Sequence, residues 1–418
     1  MQQSKNNQYI EACGRKYSFP KQPTVVICID GCDPTYITAS IAEGVIPTMS
    51  HMMESGFYQI ANAVIPAFTN PNNVSIICGA PPSVHGVTGN YYLDKATHRE
   101  IMMLDASQMR SSTILSEFSS AGVSVAVVTA KDKLRKALSH GLNGIAISAQ
   151  LADKCSLSEH GIENVTTLVG REAPDQYSPD LSLFVLDAGI KLLETQQPDI
   201  LYLSLSDLVQ HQYAPDHEMA HAFMHEIDLR IEKILALGAV VGIVADHGMS
   251  DLSREDGSPN VIYLGDILDK YYGHNRIRVI CPITDPFVKH HGALGGFVRV
   301  HLLDNSLDSE AIIQEIAQLE GIEQVMSGET AAVYFDLPSD READIVVLAS
   351  KGVALGSHSS NHDLTQLAGT RLRSHGSISE QQVPFIVSHP INEAYLLQAK
   401  KNGLRNFDIF DYVLNGLK

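Results

Sequence analysis

Short apolar runs recur through the first part of the chain, and stretches with helical periodicity separate them. Four of these runs are largely apolar, which is typical of parallel strands buried on both faces. The four runs are residues 25–29, 123–129, 200–205 and 239–245. Amphipathic helices are predicted between them, notably over residues 181–194 and 216–237. The alternation predicts an α/β fold in which helices flank a doubly wound sheet with right-handed crossovers.

A polar residue lies at or just beyond the end of each apolar run. These residues are Asp30, Lys131, Asp207 and Asp246. Open α/β sheets bind their ligands at the carboxyl ends of the strands. We therefore expect the four side chains to contribute to one shared site.

From about residue 257 the rhythm of strands and helices changes. Strands are predicted over residues 276–283, 296–303, 322–326 and 331–335, with an amphipathic helix over residues 309–319. This order predicts an α+β cap over residues 257–341, inserted into a core made of residues 1–256 and 342–418. The apolar run at residues 345–349 is assigned to the core sheet.

The amino-acid composition limits which molecules the protein can bind and in which cellular compartment we expect it. The net charge of −18 argues against nucleic acid and anionic membranes, so an anionic substrate would need metals or clustered lysines. The longest apolar run, residues 234–245, is too short to span a bilayer, and no apolar secretory segment follows Met1. The six cysteines show no CxxC spacing. We expect a cytoplasmic protein with reduced thiols and no membrane partner.

Two pairs of residues have the chemistry and spacing of metal ligands. Asp207 and His211 are four positions apart, so both can lie on one face of a helical turn. Asp246 and His247 directly follow a buried strand. Mixed Asp and His ligation suits zinc, with manganese or iron as alternatives. Taken alone, the first pair is equally compatible with a surface ion pair or a helix cap.

Thr69 lies beside a predicted helix N-terminus. Pro71 can occupy the first helical position, where its missing N–H costs nothing. The free N–H groups and the helix dipole favour an anion there, which suits a hydroxyl that becomes an alkoxide and carries a phosphoryl group. The alternative interpretation is that Thr69 is simply the N-cap of the helix.

One motif points to a different chemistry. Residues His217 to His221 match the H-E-x-x-H metalloprotease pattern, and His225 continues the spacing. However, Pro215 and Asp216 indicate a helix start, so His217 falls in the first turn rather than inside the helix. The longer metzincin pattern is also incomplete. We interpret the stripe as a solvated helix face, and leave open an interface within a homodimer.

Six motifs in order resemble the alkaline phosphatase superfamily, in the branch of the nucleotide pyrophosphatases/phosphodiesterases and the phosphonoacetate hydrolases. They are Asp30 after the first strand, Thr69-Asn70-Pro71-Asn72, Gly86-x-x-Gly89-Asn90, Asp207-x-x-x-His211, Asp246-His247-Gly248 and His375. The resemblance implies two zinc ions per subunit, with manganese as a substitute. The implied ligands are Asp30, Thr69, Asp246 and His247 for one ion and Asp207, His211 and His375 for the other. It also implies Thr69 as the nucleophile and Asn90 as the residue that holds a phosphoryl oxygen.

Within this branch, residues 129–133 resemble the phosphonoacetate hydrolases, where lysines at this place help to bind a small anionic substrate. Residues 283–286 and 289–292 also look like the cap of these enzymes. The resemblance therefore implies that the substrate-binding residues include Lys131, Lys133, Lys289 and His290. The implied reaction cleaves the C–P bond of phosphonoacetate to acetate and phosphate through a phosphothreonine at Thr69.

Other functions remain open at this point. A nucleotide pyrophosphatase or phosphodiesterase would use the same metals and the same nucleophile. A cofactor-independent phosphoglycerate mutase is disfavoured because the nucleophile is threonine and the insert is single and small. A non-catalytic phosphate sensor is disfavoured by the complete set of ligands.

Overall fold

The computed structural model describes residues 9–286, 291–367 and 369–418, and its largest sheet has seven strands. In spatial order these strands are Phe57–Asn62, Gln382–Val387, Val240–Val244, Thr24–Cys28, Ile200–Ser204, Val125–Thr129 and Ile145–Ser148. The last five are parallel to one another, and Gln382–Val387 is antiparallel to both of its neighbours. The predicted α/β sheet is confirmed, with one antiparallel strand next to its edge.

Helices cover both faces of this sheet. Successive side chains of a strand point to opposite faces, so Tyr202 and Leu203 mark the two sides. Gly189 of the helix Asp180–Thr195 lies against Leu203, whereas Phe410 of the helix Ile409–Asn415 contacts Tyr202. The α-helices of the described chain are Pro34–Glu43, Pro47–Ser55, Thr69–Cys78, Pro82–His85, Ile114–Ser120, Asp132–Leu138, Leu157–His160, Val165–Val169, Asp180–Thr195, Leu208–Gln212, Glu218–Ala236, Leu264–Tyr272, Ser309–Ala317, Gly328–Tyr334, Glu393–Asn402 and Ile409–Asn415.

A second sheet has four antiparallel strands. Their spatial order is Ile277–Ile280, Phe297–Leu302, Ile345–Ala349 and Ile322–Ser327. The assignment of residues 345–349 to the core sheet is therefore wrong. A central strand of either sheet is buried on both faces and has an apolar sequence. The composition of such a strand therefore does not show to which of the two sheets it belongs. The division of the chain at residues 257 and 342 stays a prediction.

The segment 331–335, predicted as a strand, is helical instead. It belongs to the helix Gly328–Tyr334, which begins after Ser327. The Ser327 side chain accepts a hydrogen bond from the backbone N–H of Thr330, as an N-cap does. What the sequence presents as a turn between two strands is therefore the cap of a helix.

Four two-stranded ribbons complete the described chain. They pair Tyr9–Ala12 with Arg15–Ser18, Tyr91–Asp94 with Arg99–Met102, Ser250–Asp251 with Arg373–Ser374, and Val261–Tyr263 with Ala354–Gly356. The third ribbon has a direct consequence for the site. It brings His375, which follows Arg373–Ser374, next to the segment that follows the core strand Val240–Val244.

Buried apolar side chains form one core around each sheet. Phe68 belongs to the core of the second sheet, where its ring contacts Phe297 edge-on at 6.2 Å. The residue before Thr69 is thus fixed by the second sheet, although Thr69 begins a helix of the first. No helix of the described ranges has the length and apolar character needed to cross a bilayer.

Candidate active site

Thr69 is the first residue of the helix Thr69–Cys78, and Phe68 is its N-cap. The interpretation of Thr69 as an N-cap is therefore wrong, and Pro71 lies at the third helical position rather than the first. The helix starts two residues early because Phe68 is extended and anchored in the second core. The Thr69 hydroxyl is 3.4 Å from Nε2 of His247.

Three buried carboxylates converge on this hydroxyl from the sheet. Asp30, Asp207 and Asp246 lie just beyond the ends of three adjacent parallel strands, and each is at most 3% exposed. Asp246 is held in place by its neighbours: one carboxylate oxygen accepts from Asn73 at 2.9 Å, and the other accepts from the backbone N–H of Gly31. The predicted convergence of the strand ends is confirmed for these three residues.

Three histidines surround the carboxylates in a common orientation. Nδ1 of His211, His247 and His375 lies 2.6 to 2.8 Å from a main-chain carbonyl oxygen, which can only accept a hydrogen bond. Nδ1 must therefore carry the proton, which leaves Nε2 of each neutral ring with a lone pair. Nε2 faces the carboxylates, at 2.9 Å from Asp207 for His211 and 3.3 Å from Asp30 for His247.

These side chains form two groups that could each hold a cation. The first consists of Asp207, His211 and His375, as the resemblance implies, and the second consists of Asp30, Asp207 and His247. Asp207 thus lies between the two groups. Asp246 is beside the second group, with an oxygen 3.8 Å from Nε2 of His247.

The electrostatics of the cluster fit bound cations. Burial and the negative charges of Asp207 and Asp246 raise the pKa of Asp30 well above its usual range. One oxygen of Asp30 accepts no hydrogen bond from the described residues. In the neutral form of the rings, lone pairs of Nε2 and carboxylate oxygens, which are all acceptors, face one another here, and a cation between them would satisfy both. Imidazole nitrogens with carboxylates are a donor set that suits zinc, and manganese accepts the same atoms.

Two lysines extend the site on one side. Lys131 is the N-cap of the helix Asp132–Leu138, and its Nζ lies 3.5 Å from Asp207. Burial disfavours its charge, but attraction by Asp207, Asp285 and Asp30 outweighs this and raises the pKa of Lys131. Lys133 Nζ is 2.9 Å from Asp285. Burial lowers the pKa of Lys133, since Asp285 compensates only in part.

Asn90 lies next to the start of the helix Thr69–Cys78. Its side-chain oxygen accepts a hydrogen bond from the backbone N–H of Asn70 at 3.3 Å. Its side-chain amide donates to the carbonyl of Ile283, and its backbone N–H donates to Pro282. Lys289 and His290, also predicted to bind substrate, lie outside the described residues.

Several residues of the site escaped the sequence analysis. Asn73 bonds both Asp246 and the carbonyl of Thr69, and Arg373 accepts the Nδ1 proton of His211 through its carbonyl. Asp285 binds Lys133, and the ring of His291 stacks on that of His211 at 5.2 Å. Asp285 and His291 occur in the named stretches 283–286 and 289–292, and Asn73 directly follows the Thr69–Asn72 motif, but their partners come from distant segments and leave no local signal.

The H-E-x-x-H segment lies apart from these residues. His217 is the N-cap of the helix Glu218–Ala236, so it lies just before the helix rather than in its first turn, where the sequence analysis placed it. Its Nδ1 accepts a hydrogen bond from the backbone N–H of Met219, and His217, Glu218 and His225 are exposed. The two histidines of the motif therefore do not share a helix face as the metalloprotease site requires.

A model of the type I phosphodiesterase/nucleotide pyrophosphatase family matches residues 24–377 of the chain. The match spans six of the seven strands of the core sheet, all the predicted metal ligands and the second sheet, and it ends before the strand Gln382–Val387.

Solved structures extend this similarity. Phosphonoacetate hydrolase from Sinorhizobium meliloti 1021, in complex with phosphonoformate, is 43% identical, with a TM-score of 0.94 over 98% of this chain and 99% of that one. The same enzyme in complex with phosphonoacetate matches at 42% identity with the same TM-score and coverage. Murine ectonucleotide pyrophosphatase/phosphodiesterase 5 has a TM-score of 0.63 at 14% identity, over 95% of this chain and 96% of that one. The last match shows a common fold.

Proposed function

The chain belongs to the type I phosphodiesterase/nucleotide pyrophosphatase family, and we propose that it is a phosphonoacetate hydrolase, which converts phosphonoacetate and water to acetate and phosphate. The observation that carries this proposal is the presence of two lysines, Lys131 and Lys133, whose side chains are only 12% and 9% exposed, beside the carboxylate–histidine cluster at Thr69. A small substrate that is anionic at both ends requires such positive groups. Similarity over almost the whole length of a phosphonoacetate hydrolase supports the same activity.

The cluster suits two divalent ions, which we propose are zinc, with manganese as a substitute. One ion would be held by Asp30, Thr69, Asp246 and His247, and the other by Asp207, His211 and His375. When bound, the ions would stabilise the Thr69 alkoxide and neutralise charge on the phosphoryl oxygens.

The chain's own residues then account for the transfer. After the Thr69 hydroxyl has lost its proton to solvent, its Oγ forms a bond to phosphorus while the C–P bond breaks, and the phosphoryl group passes to threonine. Thr69 is the first residue of a helix of ten residues, whose dipole favours negative charge at this end. Asn90 holds a phosphoryl oxygen where charge develops. A water molecule afterwards attacks the phosphothreonine, which releases phosphate and restores the hydroxyl.

The lysines act on the other half of the substrate. Breaking the C–P bond leaves the electron pair on carbon, and the adjacent carboxylate delocalises it as an enediolate. The ammonium groups of Lys131 and Lys133 stabilise this charge before the carbon takes up a proton and acetate leaves. An ordinary phosphodiester has a much better leaving group and does not need this assistance.

The alternative is a nucleotide pyrophosphatase or phosphodiesterase, which the family match itself favours. Such an enzyme would use the same cluster and Thr69, but it needs an apolar or aromatic slot for the nucleoside. Comparing phosphonoacetate with bis-p-nitrophenyl phosphate as substrates of the zinc-loaded protein separates the two functions directly.

Replacing Thr69 tests the nucleophile. We expect Thr69→Ala to lower phosphate release from phosphonoacetate by at least about a thousandfold, because no covalent intermediate can form. Thr69→Ser keeps a hydroxyl and is the matched control, with activity within about tenfold of the wild type. Phosphate release is measured colorimetrically, and bound metal is measured by elemental analysis of the same samples. Substantial turnover by Thr69→Ala with zinc still bound would overturn the assignment.

We further propose a cytoplasmic location. All six cysteines are free thiols in the structure, which fits a reducing compartment. A homodimer stays a prediction.

A further inference from the structure

The loop that follows the strand Ile277–Ile280 reaches from the second sheet into the site. The loop is turned by Thr284, whose backbone N–H and hydroxyl both donate to the carbonyl of Cys281. Two proposed substrate-binding residues of the first part of the chain, Asn90 and Lys133, contact this short loop. The loop therefore links groups that would contact opposite ends of the substrate.

The contact with Asn90 is made by main-chain atoms. The carbonyls of Pro282 and Ile283 accept from the backbone and the side-chain amide of Asn90, at 2.8 Å and 3.3 Å. Gly89 allows this close approach, because a Cβ at that position would lie 2.7 Å from Cβ of Pro282. Main-chain atoms of the loop alone thus hold the end of the site that would bind the phosphoryl group.

The contact with Lys133 is made by a side chain, that of Asp285. Its carboxylate lies 2.9 Å from Nζ of Lys133, and both side chains are only 9% exposed. Buried charges that lack compensation are costly, so this pair fixes the ammonium in one place. Asp285 also attracts Lys131, which reduces the repulsion between the two neighbouring ammonium groups.

We propose that Asp285 is a positioning residue: its carboxylate holds the Lys133 ammonium where the carboxylate of a bound phosphonate is recognised, and so contributes to selectivity for substrates that carry a carboxylate beside the phosphoryl group. The inference rests on the proposed function, because it takes Lys133 as a substrate-binding residue. A positioning role affects the binding of one part of the substrate, whereas a purely structural role would affect the binding of every ligand. Loss of Asp285 weakens the recognition of the substrate carboxylate but leaves the phosphoryl site intact.

The test compares two ligands of the zinc-loaded protein. Phosphonoformate carries both a phosphoryl group and a carboxylate, whereas inorganic phosphate carries only the former. We expect Asp285→Asn to raise the dissociation constant of phosphonoformate about tenfold or more and that of phosphate less than about threefold, both measured by calorimetry. For phosphonoacetate turnover, we expect KM to rise more than kcat falls. Asp285→Glu, which keeps the charge, should restore much of the selectivity.

Asp340→Asn is the matched control. Asp340 forms an ion pair with Arg110. Like the pair of Asp285 and Lys133, this pair joins a late segment of the chain to an early one, but it lies on the exposed surface. This variant should leave both dissociation constants unchanged. An equal loss for phosphonoformate and phosphate in Asp285→Asn, or no loss for either, would overturn the inference.

A double-mutant cycle with Lys133→Gln shows whether Asp285 acts through Lys133. If it does, adding Asp285→Asn to Lys133→Gln changes phosphonoformate binding little further, whereas full additivity contradicts the inference. The cycle also separates the two proposals. A wild-type protein that does not hydrolyse phosphonoacetate contradicts the proposed function, while the ratio of the two dissociation constants still reports on Asp285.

Discussion

Cys13 and Cys78 lie together at the C-terminal end of the helix Thr69–Cys78. The thiols of both residues contact the carbonyl of Ser112, at 3.5 Å and 3.7 Å. The hydrogen bond from Cys78 outweighs the burial of Cys13 and lowers the pKa of the Cys13 thiol to about 6. For Cys28 and Cys32, burial instead raises the pKa. Cys13 is therefore the thiol with the most thiolate at neutral pH among these residues.

We expect iodoacetamide to alkylate Cys13 first, because the thiolate is the reactive form and Cys13 is only partly buried. The alkylation rate of the native protein should rise with pH to a plateau, with a midpoint near pH 6. Peptide mass spectrometry after short exposure identifies the modified cysteine, and Cys13→Ser is the control that removes the fast phase. A midpoint near 9 would show that Cys78 does not stabilise the thiolate.

At the scale of single elements, the helix Thr69–Cys78 is defined at both ends by packing. Phe68 fixes its start in the second core, and Gly79 ends it in the left-handed conformation, with φ of 62°. A Cβ on Gly79 would lie 2.0 Å from the hydroxyl of Tyr17, a fully buried side chain. Gly79 is therefore needed both for its backbone conformation and for the space it leaves.

Comparing Gly79→Ala with Gly44→Ala separates these two requirements. Gly44 ends the helix Pro34–Glu43 with φ of 74°, but a Cβ there meets no atom within 4 Å. We expect Gly44→Ala to lower the free energy of unfolding by about 1 kcal/mol because of backbone strain. Gly79→Ala should lower the free energy of unfolding by about 1–3 kcal/mol more than Gly44→Ala does, because the added methyl group also overpacks the core. Urea denaturation of the metal-loaded proteins measures both, and equal losses would mean that Tyr17 moves aside freely.

The elements of the core could be predicted from the sequence because their signals are local. The four apolar runs and the long helices lie within a few residues of their predicted positions, and Asp30, Asp207 and Asp246 follow from the strand ends. The helix start at Thr69 was misplaced because Phe68, not Pro71, decides it. Two features could not be predicted: the sheet to which residues 345–349 belong, and the ion pair between Asp285 and Lys133. Both depend on contacts between distant segments, which no local pattern encodes.

At the scale of the whole molecule, a buried acid couples stability to pH. Glu380 is 1% exposed, and its carboxylate accepts from the backbone N–H of Ser377. Burial raises the pKa of Glu380 to about 7, and Asp33 and Glu323 act in the same direction. Since the folded pKa is above the unfolded value, protonation stabilises the fold, and this contribution is lost as the pH rises from about 4.5 through 7.

Glu380→Gln isolates this effect, because glutamine keeps an acceptor for Ser377 but cannot ionise. We expect the free energy of unfolding of the variant, relative to the wild type, to increase by roughly 2–3 kcal/mol between pH 5 and pH 8. Chemical denaturation at a series of pH values measures the difference, in which pH effects common to both proteins cancel. A difference that does not vary with pH would contradict the raised pKa.

The strand order of the large sheet has a consequence for biosynthesis. Phe57–Asn62 pairs with Gln382–Val387 in the described sheet, and His375 also comes from this late segment. On the ribosome, the early strand emerges long before its partner is translated, so its backbone groups remain exposed to other nascent chains. The candidate cation site formed by Asp207, His211 and His375 cannot be completed until that same segment emerges. We therefore expect this site to bind a cation only after nearly the entire polypeptide has been synthesised, whereas a chain that stops early leaves the edge of Phe57–Asn62 unpaired.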